Sequence, residues 1–158
     1  MEKFSVREIV EQAIQTERLG NDFYTKMSEK FKDHEDLKKL FETLASHEVR
    51  HGNSFIALKE NLGEEEPEGW DEVIPYLRAI VDSEFFLGKD KCLPSLEHVT
   101  TELEAVDFAL CFERETLLYY YALREATKEK EIIDKIIREE RSHIIWLNNL
   151  KNSLLQGI

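Results

Sequence analysis

The chain has 158 residues, 33 acidic and 21 basic, and a formal charge of −12 at pH 7. So acidic a surface repels phosphate backbones and anionic headgroups, so neither nucleic acid nor a membrane surface is an expected partner. With 42% apolar residues but only six glycines and three prolines, the sequence is too apolar for a disordered chain and too poor in turn residues for an all-β fold.

Ser5-x-x-Glu8 is a capping box and predicts a helix start near Ser5. Inward positions then recur every three or four residues: Val6, Val10, Ala13, Glu17, Gly20, Tyr24, Met27, Phe31. This is a heptad-like stripe. After a polar break at 32–36, a second stripe runs through Leu37, Phe41, Leu44, Glu48, His51, Phe55, Leu58 and Leu62, with Gly63 as the expected C-cap.

Residues 64–100 lose this period. They read as a crossover connection holding one or two short helices, broken at Pro75. Thr101-x-x-Glu104 opens a third stripe, Val106, Leu110, Glu113, Leu117 and Tyr120. A fourth follows the break at 127–131: Ile133, Ile136, Glu140, His143, Leu147, Leu150, Leu154. The expectation is an all-α protein, one domain over 1–158. It is an antiparallel four-helix bundle built from two similar helical hairpins, with helices of about 25 residues and 35–40 Å.

Each stripe is apolar except near its middle, where it carries a glutamate: Glu17, Glu48, Glu113, Glu140. The second and fourth helices add His51 and His143 three residues on, on the same face. An isolated buried carboxylate costs several kcal/mol, and four together would remove most of the stability of a domain worth about 5–15 kcal/mol. Two divalent cations would cancel the four charges and take the imidazoles as neutral ligands. Carboxylate and imidazole donors suit iron or manganese, or a mixed pair, better than a thiolate metal.

Tyr24 and Tyr120 lie two turns beyond Glu17 and Glu113. They read as core packing, as hydrogen-bond donors to a ligand carboxylate, or as redox-active phenols. Ala13 and Gly20 flank Glu17 and leave room for a small molecule such as dioxygen or peroxide, or for close helix packing. His47 lies about 100° round the helix from Glu48 and reads as a flanking residue or as one that supports a metal ligand from behind, while His34 and His98 read as surface. Cys111 reads as a small buried apolar residue. Cys92 and Cys111 are too few for a disulfide framework or a four-thiolate metal knuckle. The longest uncharged apolar run, 117–123, is too short to span a bilayer. The first residues carry charges every few positions and lack the apolar stretch of a signal peptide, so a reducing, cytoplasmic setting is expected.

With its Glu, Glu-x-x-His, Glu, Glu-x-x-His order, the sequence resembles the ferritin-like diiron-carboxylate family, and within it the rubrerythrin-like proteins. The resemblance covers the chain outside 64–100. It implies two iron ions bridged by Glu48 and Glu140, with Glu17 and Glu113 as terminal ligands and His51 and His143 one on each iron. It also implies an oxidoreductase that reduces peroxide, with dioxygen-using ferroxidase, iron-storage and purely structural dimetal roles as alternatives. Two features depart from rubrerythrins proper. Thr116 stands where a further glutamate is usual, and the sequence has no four-cysteine rubredoxin-like domain. Electrons would then come from a separate donor such as a rubredoxin. The aromatic and aliphatic residues of the crossover (Trp70, Tyr76, Leu77, Phe85, Phe86) predict a homodimer, with domain swapping possible.

Overall fold

The computed structural model describes residues 5–83 and 97–157. These form five helices, α1 (Val6–Lys30), α2 (Glu35–Glu60), α3 (Trp70–Ser83), α4 (Glu102–Ala126) and α5 (Lys130–Leu155), and no strand among the described residues. The four long helices have 25, 26, 25 and 26 residues. Short turns fold α1 back along α2 and α4 back along α5, while α1 also meets α4 and α2 meets α5. Two hairpins thus close into one bundle within a single chain.

Local sequence sets the helix ends. Ser5 Oγ accepts from Glu8 N at 3.2 Å and Glu8 answers at Ser5 N at 2.6 Å, the expected capping box. His34 caps α2 by accepting from Leu37 N at 3.2 Å, so this histidine serves a turn. Thr101 Oγ1 accepts from Glu104 N at 3.1 Å, but the Glu104 carboxylate takes Thr100 N, one residue further out than a capping box requires.

Three expectations are corrected. Gly63 does not cap α2, whose C-cap is Asn61 with φ −94°; among the described glycines, positive φ occurs at Gly69 and Gly157. Pro75 does not break the crossover helix. It lies in the second turn of α3, so only the first-turn carbonyl four residues back loses a donor. Cys111 is exposed: two residues from an inward glutamate is about 200° round the helix, which here faces solvent. Phe85, Phe86 and Cys92 lie outside the described residues.

The core is in two halves. One apolar cluster gathers Ile9, Val10, Phe55, Tyr119, Leu123 and Ile133 with Trp70, Leu77 and Ile80 of the crossover. The other gathers Phe23, Met27, Leu37, Phe41, Val106, Leu110 and Leu147. Trp70 and Leu77 are therefore buried on their own chain, while Tyr76 stays 49% exposed. No described helix is long and apolar enough to cross a membrane.

Candidate metal centre

A buried polar layer separates the two apolar clusters. All six residues singled out from the sequence meet there. Glu17 comes from α1, Glu48 and His51 from α2, Glu113 from α4, and Glu140 and His143 from α5, each at most 1% exposed. Their donor atoms form two quartets, each with its atoms within 4.8 Å of one another. The first is Glu17, Glu48, His51 and Glu140; the second is Glu48, Glu113, Glu140 and His143. Glu48 and Glu140 belong to both.

Both imidazoles turn Nδ1 inward. His51 Nδ1 lies 2.9 Å from Glu140 Oε1 and 3.6 Å from Glu17 Oε2. His143 Nδ1 lies 3.0 Å from Glu140 Oε2, 3.4 Å from Glu113 Oε1 and 3.6 Å from Glu48 Oε1. The rings stack with centroids 5.7 Å apart.

Glu17 Oε2, both oxygens of Glu48, Glu113 Oε2, Glu140 Oε2 and His143 Nδ1 are buried without a hydrogen-bond partner. Native proteins rarely leave such groups unsatisfied. Hard oxygen donors and two inward imidazole nitrogens, most of them unpartnered around two adjoining points, fit a pair of divalent cations.

The cluster's electrostatics agree. Burial, then the charges of Glu17, Glu140 and Glu113, push the Glu48 carboxyl well above the usual range. Burial and Glu140 also raise Glu17, and burial lifts Glu113 to about 8. Burial acts against protonated His51, but the hydrogen bond to Glu140 and the nearby Glu17 carboxylate outweigh it and raise the imidazole to about 11. Burial likewise opposes protonated His143, and the nearby Glu113 charge helps raise it to about 10. For Glu140, burial is outweighed by the close approach of both imidazoles, which holds its carboxyl below the usual range. In the metal-free protein, protons thus stand in for part of the missing positive charge.

The tyrosines pair crosswise. Tyr24 of α1 donates to Glu113 of α4, and Tyr120 of α4 donates to Glu17 of α1. Among the readings open from the sequence, hydrogen bonding to the cluster carboxylates is the one the geometry displays. Neighbouring Tyr119 instead donates to the Ile9 carbonyl at 2.7 Å, tying α4 to α1. Thr116 is fully buried with its hydroxyl unpartnered, while the expected stripe residue Leu117 is only partly buried.

Of the two readings open for Gly20, the geometry favours close packing of the helices. A Cβ there would lie 2.6 Å from Glu48 Oε2, so the glycine makes room for a carboxylate and not for a visiting molecule. Ala13 is fully buried in the apolar core. A cleft of about 250 Å³ opens on the α1/α2 side, lined by Ile14, Glu17, Asn21, Glu48, Gly52 and Ile56, among others. Sequence reasoning missed Gly52 there, and it missed Glu139, whose carboxylate lies 2.6 Å from His51 Nε2. His47, read as a flanking residue or one that supports a ligand, takes the second role: its Nδ1 lies 2.9 Å from His143 Nε2. Both immediately precede a motif glutamate, a repeat visible in the sequence.

A helical bundle enclosing two Glu-x-x-His motifs and two further glutamates defines the ferritin-like class with a dimetal site. A crystal structure described as a candidate ferritin-like diiron-carboxylate protein from Thermotoga maritima is similar to it, with a TM-score of 0.70 and 26% identity, covering 96% of this chain and 97% of that one. The family model for rubrerythrin matches residues 8–87, just over half of the sequence, and the chain belongs to the rubrerythrin family. No curated protein matches it.

Proposed function

We propose that this protein is a non-haem diiron oxidoreductase that reduces peroxide with electrons from a separate donor protein, such as a rubredoxin. The observation that carries this reading is the pair of matched quartets sharing Glu48 and Glu140, with most of their inward atoms unsatisfied. Bound as a ferrous pair, the metals would supply two electrons, which with two protons convert hydrogen peroxide into two water molecules.

The chain's own residues set the conditions. Glu48 and Glu140, common to both quartets, would hold both ions, and Glu17 with His51 and Glu113 with His143 would complete the two positions. Tyr24 and Tyr120 fix the terminal carboxylates through one oxygen each and leave the other free to ligate. The apolar clusters on both sides exclude bulk water. The cleft at Gly52 reaches Glu17 and Glu48. At about 250 Å³ it falls below the roughly 300–1,000 Å³ of pockets for drug-sized ligands, which favours a small oxidant over a metabolite. The sequence holds only two cysteines, so it lacks the thiolates for a four-cysteine electron-donor site.

Stopped-flow mixing of the anaerobic diferrous protein with peroxide and with dioxygen tests the reading. Faster oxidation by peroxide at equal concentration, followed by turnover only when reduced rubredoxin is supplied, is the expected result. Faster reaction with dioxygen would replace it with a ferroxidase role. Iron loading far above two per chain would indicate storage. The assembly proposed is a homodimer, for which Tyr76 on α3 and Leu118 and Tyr121 on α4 offer exposed apolar side chains; a monomer by light scattering at micromolar concentration would refute it.

A further inference from the structure

The inward halves of the two quartets match residue for residue. Each joins one terminal glutamate and one histidine to the shared Glu48 and Glu140, and each terminal glutamate accepts a tyrosine hydroxyl. The match ends behind the imidazoles. His51 Nε2 lies 2.6 Å from Glu139 Oε2, whereas His143 Nε2 lies 2.9 Å from His47 Nδ1. Glu139 and His47 hold equivalent places in the repeat. Each directly precedes its own helix's motif glutamate and reaches across to the histidine of the other helix. One is a carboxylate, steadied by Arg50 at 3.0 Å. The other is an imidazole seated beside the Trp146 ring, with centroids 5.8 Å apart.

We propose that Glu139 and His47 are positioning residues that make the two metal positions unequal, the Glu17/His51 position holding its ion more tightly than the Glu113/His143 position. The inference rests on the dimetal reading above. With an ion bound, each partner would accept from the outer N–H of its histidine, fixing the tautomer that turns the Nδ1 lone pair to the cluster. A carboxylate acceptor does more than this. Charge-assisted hydrogen bonds are roughly twice as strong as neutral ones, and they leave more electron density on the ligating nitrogen. His47 can accept only through a ring lone pair and carries no negative charge. Arg50 does not cancel the difference, because its side chain is 54% exposed and its charge is screened by water.

Cobalt(II) is a suitable probe, since its visible spectrum reports ligation without turnover. In the full chain, His143→Ala leaves the Glu17/His51 position with its imidazole, and His51→Ala leaves the other. The first background should bind cobalt about tenfold or more tightly than the second, and Glu139→Gln should weaken it by about 10–100-fold. The same change in the second background should shift affinity less than about threefold. His47→Glu should tighten the second background and leave the first nearly unchanged, a gain that a merely structural role cannot give. Far-UV melts of the metal-free variants check folding; should Glu139→Gln not fold, Glu139→Asp, which retracts the carboxylate, is read in the same way. Equal affinities in the two backgrounds, indifference to the Glu139 change, or no tightening by His47→Glu would overturn the proposal. Fewer than two cobalt ions in the unaltered chain would instead overturn the dimetal reading, and this inference with it.

Discussion

A methyl group on Gly20 would lie 2.6 Å from Glu48 Oε2 and 2.9 Å from Phe112 Cε1, so the glycine of α1 is the space that the shared carboxylate of α2 occupies. Glycine in a helix interior is about 1 kcal/mol less favourable than alanine, and the cluster's geometry accounts for tolerating it. Gly20→Ala should therefore leave the melting temperature of the metal-free protein nearly unchanged, as propensity offsets crowding. It should weaken metal binding by about 10–100-fold. Unaltered metal affinity would show that Glu48 does not need this position.

The crossed tyrosines make a separate prediction. Tyr24→Phe and Tyr120→Phe each leave a buried carboxylate oxygen without its donor, a loss of about 1–3 kcal/mol. Because the pairings are equivalent, the two variants should lose similar stability in melts of the metal-loaded protein, with both ions still bound. Loss of an ion from either variant would make the phenol part of the binding set itself.

Gly52 controls the cleft, and its substitution should separate access from binding. A Cβ there would meet only Glu17 Cβ, at an ordinary 3.5 Å, so Gly52→Ala should be tolerated. Gly52→Leu should fill the cleft and slow oxidation of the loaded protein about tenfold or more, with metal stoichiometry unchanged. Equal rates for all three forms, measured by stopped flow, would place the entry route elsewhere.

Metal uptake should be strongly coupled to protons. In the metal-free protein His51 and His143 stay protonated up to about 11 and about 10, and Glu113 up to about 8. Ions binding at pH 7 must expel these protons, about three per chain or more. Protons compete with the metal, so affinity should rise with pH between about 6 and 8 and fall in acid. Calorimetric titrations in buffers of different ionisation enthalpy measure the number released. Release of fewer than one proton would contradict this account of the cluster.

Much of this was legible in the sequence, for identifiable reasons. A repeat near 3.5 residues over helices of about 25 residues leaves little freedom in which face turns inward, so the helices and all six cluster residues could be read from spacing. Caps such as Ser5–Glu8 are local and equally readable. What depended on helix rotation and side-chain reach was not. Thr116, and not Leu117, proved fully buried. Pro75 entered a helix because its missing N–H fell close to the helix start. The reach of Glu139 to His51 and of His47 to His143 needed the α2/α5 separation, which periodicity does not supply. Gly20 was recognised as space, but only the position of Glu48 shows what fills it.

The central claim is that these six residues hold two metal ions between them. It is tested most directly by anaerobic titration of the metal-free chain with ferrous ion, beside Glu48→Ala and Glu17→Ala. The account predicts a break at two ions per chain. It also predicts a larger loss of binding for Glu48→Ala, which removes a donor from both quartets, than for Glu17→Ala, which removes one from a single quartet. A break at one ion, or equal losses in the two variants, would contradict it.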